Sequence, residues 1–140
     1  MNLNSLQWNT LRAAMDRIVP PDDFPGAWDA GGGDFLAGMF EKELRPVVPT
    51  YGDGLDALEA EAQTLYTQAF HEIETAEQDA ILKAISEGRT HAAWNTPPIA
   101  FFRMLIHHVN EGYYSDPGNG GNKNAISWKM TGFSERHTAQ

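Results

Sequence analysis

Apolar positions recur at helical spacing in five separate stretches of this chain, and no stretch alternates apolar with polar as a half-buried strand does. In the first, Leu6, Leu11, Met15 and Ile18 lie three to five residues apart, with Trp8 beside them. Asn4 or Ser5 can cap this helix, and Pro20-Pro21 stops it, because proline disfavours helix at the residue before it. Residues 34–44 form the second, with Phe35, Leu36, Met39, Phe40 and Leu44 on its apolar stripe and Pro46 beyond its end. The third covers 51–70 and buries Leu55, Leu58, Ala62, Leu65, Tyr66 and Ala69. Thr75 with Gln78 three residues on is a capping-box pattern that opens the fourth. Its buried residues are Ala80, Ile81, Ala84 and Ile85, and Gly88 stops it. After a connector at 89–96, Pro97-Pro98 suit the first turn of the fifth helix. Ile99, Phe101, Phe102, Leu105, Ile106 and Val109 make that helix apolar nearly all round, which places it at the centre of a bundle. The expected fold is all-α: a single-domain bundle of about five helices over residues 4–112, followed by a long irregular C-terminal tail at 113–140.

Two loop features invite chemistry and do not carry it. Asp22, Asp23 and Asp29 lie between the first two helices, but the alternating oxygen-ligand spacing of a calcium loop is missing. They read as capping and solvated acids. The Gly31-Gly32-Gly33 run lacks the preceding strand and the Lys-Ser/Thr of a phosphate-binding loop, and reads as a flexible entry into the second helix.

Composition narrows the picture further. At 140 residues the chain is one domain with enough length for a real core. It has no cysteine, which excludes disulfides, zinc–thiolate sites, iron–sulfur clusters, thioether haem attachment and a thiol nucleophile. A formal charge of −9 disfavours nucleic acid and anionic membrane surfaces as partners. No apolar run reaches membrane-spanning length, and the first residues carry no basic and apolar leader pattern, so the chain as written is expected in the cytoplasm, without direct membrane insertion.

The best catalytic-looking cluster is His107, His108 and Glu111. His107 and Glu111 share a helix face at i, i+4, and His108 reaches Glu111 at i+3. A histidine and a carboxylate on one face could serve as an acid–base pair or half a metal site, which would make the chain a small stand-alone helical enzyme. The favoured reading is structural: one histidine satisfies a core polar contact and the other is exposed, since no second ligand pair exists at matching spacing. No serine sits in a nucleophile-elbow pattern and no flavin or nicotinamide fingerprint is present, so no catalytic, cofactor-binding or metal-binding residue is assigned.

The most distinctive stretch is 111–133. Tyr113 and Tyr114 precede a loop of Asp, Pro, Gly and Asn, and Trp128 and Phe133 close it. Gly120 and Gly121 permit close backbone approach, and Asn122 can bridge backbone groups. This wording, Glu-Gly-Tyr-Tyr-Ser-Asp-Pro, then Gly-Gly-Asn, then Trp-Lys-Met-Thr-Gly-Phe, resembles the C-terminal signature of the gluconate 2-dehydrogenase subunit 3 family. Asp16-Arg17-Ile18-Val19-Pro20-Pro21-Asp22-Asp23-Phe24-Pro25-Gly26-Ala27 is similar to that family's early motif. Gly54-Leu55-Asp56-Ala57-Leu58 and Phe101-Phe102 also fall where the family has them. The resemblance runs from about Leu11 to Phe133; its final motif is specific and its helical middle is generic.

The resemblance implies a non-catalytic small subunit of a heteromeric FAD-dependent sugar or polyol dehydrogenase. The FAD would sit in a large partner of the glucose–methanol–choline (GMC) oxidoreductase type, with no cofactor in this chain. The small subunit would support assembly, stability and often export of that partner. In many relatives a cytochrome subunit takes up the electrons. Many members carry a twin-arginine leader and work in the periplasm; residues 1–9 here show none, so a periplasmic complex implies a leader removed from this chain or one carried by the partner. The partner-binding residues expected on this basis are Tyr113, Tyr114, Asp116, Gly120, Gly121, Asn122, Trp128, Lys129 and Phe133, the rings as anchors and Lys129 as a rim charge.

Overall fold

A computed structural model describes residues 2–21 and 25–114. Over them the chain forms five α-helices and no strand: α1 (Ser5–Ile18), α2 (Gly33–Phe40), α3 (Val48–Tyr66), α4 (Thr75–Ser86) and α5 (Pro98–Tyr114). A π-type turn, Trp28–Gly32, leads into α2, and a 3₁₀ turn, Arg45–Val47, leads into α3.

Asn4 is the N-cap of α1. Its side chain accepts from the Gln7 N–H at 2.8 Å, and the Gln7 side chain accepts from the Asn4 N–H at 2.8 Å. The box that opens α4 lies one residue earlier than its pattern suggests, on Glu74 and Glu77. Gln78 is instead buried, and its amide donates to the Phe70 carbonyl at 2.8 Å. That bond closes the α3–α4 loop together with Glu59, which accepts from the Phe70 N–H at 2.9 Å. The second helix ends at Phe40 rather than at 44, because residues 41–44 turn to meet the 3₁₀ segment at Pro46. The third begins at Val48, with Pro49 in the first turn, where its missing N–H costs nothing.

The core runs through all five helices. Leu11, Met15, Leu36, Leu55, Leu58, Ile85, Phe101 and Leu105 are fully enclosed. A chain of rings crosses it: Trp28 against Trp8 at 6.1 Å, Trp8 against Phe40 at 5.8 Å, Phe40 against Tyr51 at 5.0 Å and Tyr51 against Phe101 at 5.9 Å. Mostly edge-on and tilted contacts of this kind suit the ring quadrupoles. Arg17 and Asp79 tie α1 to α4 through two parallel bonds of 2.8 and 3.1 Å.

Several positions expected inside are outside. Leu6 is 44% exposed, Leu65 41% and Ile99 37%, and Ala80 is also exposed. Each lies at the edge of its stripe or near a helix end, where neighbouring helices no longer cover it. Thr10, its hydroxyl donating to the Leu6 carbonyl at 3.0 Å, and Leu82 are buried instead. The glycine run is not a flexible entry but a close-packed corner. Gly31 has φ 103°, and a Cβ on Gly32 would lie 2.6 Å from the Ala27 carbonyl oxygen. A Cβ on Gly33 would lie 2.7 Å from the Trp28 ring. The acids Asp22 and Asp23 lie outside the described residues; Asp29 is exposed.

Candidate functional site

Two polar arrangements stand out in the bundle, one on α5 and one beneath the connector between α4 and α5.

On α5 the histidine pair divides its roles. His107 is exposed and His108 buried, their rings 5.4 Å apart. His108 Nδ1 lies 2.8 Å from the Tyr51 hydroxyl, and the two rings stack at 5.8 Å. Burial, then the neighbouring charge of His107, push His108 below the ordinary histidine range, against the opposing pull of Glu111. Burial, and then Glu111, push the Tyr51 phenol up. The phenol therefore keeps its proton and donates to Nδ1 of a neutral imidazole, which leaves the ring proton on Nε2. This is the division expected from the sequence: one histidine in a core polar contact, the other outside. Glu111 is exposed. Among the described residues no group of three or more His, Asp or Glu side chains is placed to hold a metal ion.

The lowered His108 value fixes the sign of a pH effect. Folded chain binds fewer protons than unfolded chain once pH drops below the unfolded value of about 6.5, so stability falls with falling pH there. The loss is complete below the lowered folded value. Unfolding free energies measured from pH 8 to pH 5 should decline in the wild type, and less steeply in His108→Gln, whose amide oxygen can still accept from Tyr51. Equal slopes would remove His108 as the cause.

The second arrangement was not anticipated. Glu61 on α3 is only 2% exposed. Its Oε2 accepts from the His91 N–H at 2.9 Å, the Ala92 N–H at 2.8 Å and the Trp94 ring N–H at 3.0 Å. Its Oε1 lies 3.0 Å from the same His91 N–H and 3.4 Å from His91 Nδ1. A buried carboxyl group is costly unless saturated with donors, and here the irregular connector supplies them. The sequence signal was present: Glu61 sits three residues after Leu58 and next to Ala62, on the stripe read as buried. An acid on an apolar stripe needs a partner.

A third carboxyl group, Asp16, is half-buried and accepts from the Trp28 N–H at 3.3 Å. Burial raises its pKa, and nearby Asp29 adds to this, against the Trp28 bond, Arg12 and Arg17. Arg12 lies over the Trp28 ring at 5.3 Å, so Asp16 and Arg12 hold the corner before α2 from two sides.

The expected partner-binding residues fall differently. Tyr113 is fully enclosed by the chain itself, and its hydroxyl donates to the Pro25 carbonyl at 3.0 Å. That ring locks the end of α5 onto the loop before α2 instead of facing outward. Tyr114 is the last residue of α5. Asp116, Gly120, Gly121, Asn122, Trp128, Lys129 and Phe133 lie outside the described residues.

Fold and site together define a small all-α bundle whose buried polar groups fix its own loops. The chain belongs to the gluconate 2-dehydrogenase subunit 3 family, whose model matches residues 5–134, and the family is named for a subunit of a dehydrogenase complex. No curated protein and no solved structure matches the chain.

Proposed function

We propose that this chain is a non-catalytic small subunit of a heteromeric FAD-dependent sugar or polyol dehydrogenase, binding and stabilising a large GMC-type subunit that holds the flavin. The observation that carries the reading is the family match over residues 5–134, which takes in the bundle and most of the tail. The structure is compatible with it in a specific way. His108, Tyr51, Glu61 and Gln78, the buried polar side chains nearest to catalytic types, are bonded within the chain. In this reading the chemistry of sugar oxidation is the partner's, and this chain supplies contact area.

The test is co-expression of a tagged chain with a large GMC-type flavoprotein sought in the neighbouring open reading frames. The pair should purify together and carry flavin absorbance; the chain alone should show neither flavin nor dye reduction with any sugar. Sugar oxidation by the isolated chain would overturn the reading and favour a His107/Glu111 enzyme. Within the complex, Trp128→Ala should weaken association by about 2 kcal/mol or more, the range of a ring buried at an interface centre, while the circular dichroism of the bundle is kept. Unchanged affinity would move the contact off the tail.

A further inference from the structure

Tyr51 lies in the middle of the chain of rings and is fully enclosed. On one side Phe101 separates it from Trp94, with ring distances of 5.9 Å to Tyr51 and 5.9 Å to Trp94. On the other side Phe40 separates it from Trp8, at 5.0 and 5.8 Å. Trp94 and Trp8 are half-buried, so both reach the surface. Rings at these distances are ordinary core packing. What sets two of them apart is where their protons rest. The Tyr51 hydroxyl lies 2.8 Å from His108 Nδ1, and the Trp94 ring N–H donates to Glu61 Oε2 at 3.0 Å. Tyrosine and tryptophan are the side chains that give up one electron most readily in a chain without cysteine. Each turns strongly acidic as it does so, and an acceptor already bonded to the proton makes the step easier. Tyr113 differs, since its hydroxyl donates to a backbone carbonyl, which does not keep a proton.

The two tryptophan ends are unequal. Trp8 packs on Trp28 at 6.1 Å, and the Arg12 guanidinium lies over Trp28 at 5.3 Å. A fixed cation there opposes the positive charge that an oxidised indole carries. Trp94 has the Glu61 carboxyl group instead. At the centre, burial and then the charge of His107 hold His108 neutral, which leaves Nδ1 able to take a proton. Glu111 favours the imidazolium once it forms.

We propose that Tyr51 is a redox-active tyrosine that gives its electron to oxidised Trp94 across Phe101 and its proton to His108, the oxidant being an inorganic radical that meets the chain at Trp94. The radical takes one electron from Trp94 and leaves as its closed-shell anion. The indole radical cation shifts its N–H proton toward Glu61. An electron then passes from Tyr51 to Trp94, which recovers its proton and its closed shell. As that electron leaves, the phenol proton crosses to His108 Nδ1. The products are a neutral tyrosyl radical and an imidazolium, with one electron lost and every proton retained. The oxidising equivalent is thereby drawn from the surface to a ring that a second radical cannot reach. The inference stands apart from the accessory-subunit reading and needs no second chain.

Pulse radiolysis of the full chain with the azide radical tests it, because that radical oxidises tryptophan before tyrosine. In the wild type, the tryptophanyl absorption should decay and the tyrosyl absorption grow at one shared rate. That rate should be independent of protein concentration and should slow in deuterium oxide. Tyr51→Phe removes only the hydroxyl and should lose most of the tyrosyl growth. His108→Gln still offers the hydroxyl an acceptor but does not take its proton, and should slow the growth about ten-fold or more. Trp94→Phe should reduce the growth more than Trp8→Phe does. Circular dichroism checks the fold of each variant. Tyrosyl growth at the wild-type rate and yield in Tyr51→Phe would place the radical on another tyrosine and overturn the proposal. Wild-type growth that scales with protein concentration would overturn it too, and this readout stands where a variant fails to fold. An unchanged rate in His108→Gln would remove His108 as the proton acceptor. An equal or reversed order of the two tryptophan variants would remove Trp94 as the entry.

Discussion

Glu61→Ala is expected to destabilise the bundle by about 3–5 kcal/mol, the cost of leaving three donors without an acceptor at ~1–3 kcal/mol each. The side chain is 2% exposed, and its removal leaves the His91 and Ala92 amides and the Trp94 ring N–H without their acceptor. The variant also leaves a cavity beneath the connector. Glu61→Gln separates these effects. Oε2 accepts from all three donors, while Oε1 shares only the His91 N–H at 3.0 Å and lies 3.4 Å from the His91 ring, so an amide oriented with its oxygen on the Oε2 side keeps most of the network. That variant should lose only about 1–2 kcal/mol. Urea unfolding gives both numbers, and amide exchange at His91 and Ala92 should quicken in Glu61→Ala well beyond the global change. A loss under about 1 kcal/mol for Glu61→Ala would mean that water replaces the carboxyl group and the connector is not held by it.

Much of the fold was legible because a helix advertises its buried face every three or four residues, as Leu11-Met15-Ile18 and Leu55-Leu58-Ala62 do. What periodicity cannot say is where the neighbouring helix stops. Leu6, Leu65 and Ile99 continue their stripes past the last covering element, and so they are exposed. Helix ends moved for a similar reason: the tight path from Phe40 to Val48 is set by packing across the bundle rather than by local preference. The split between His107 and His108 was foreseen, because no second ligand pair stands at matching spacing in the sequence. Tyr51 as the partner of His108 was not, because it lies 57 residues away and was read only as a helix start. Gly31-Gly32-Gly33 looked flexible because composition reports freedom in isolation; contact with Ala27, Met15 and Trp28 removes it. Glu61 escaped because its three donors belong to a loop that has no pattern of its own.

Gly54→Val is expected to cost about 3 kcal/mol, at the upper end of the overpacking range. Ordinarily a glycine inside a helix is a weakness, and replacing it gains up to about 1 kcal/mol in propensity. Here a Cβ would lie 2.2 Å from two Phe101 ring carbons and 2.6 Å from a third, so α3 and α5 meet through the absence of a side chain. The ring cannot step aside, because Tyr51 packs at 5.9 Å on one contact and Trp94 at 5.9 Å on another. The sign is therefore set by the clash, with valine's two methyl groups outweighing any propensity gain. Gly54→Ala should cost about 2 kcal/mol, the same clash less the larger alanine preference. Gly38 gives the opposite result. It is exposed on α2 with nothing within 4 Å of its Cβ position, so Gly38→Ala should stabilise by about 0.5–1 kcal/mol. Thermal and urea melts of the three variants test the contrast directly. If Gly54→Ala proves as stabilising as Gly38→Ala, α3 and α5 do not approach through Gly54. The Tyr51–Phe101 side of the His108 contact would then have to be drawn with the helices further apart.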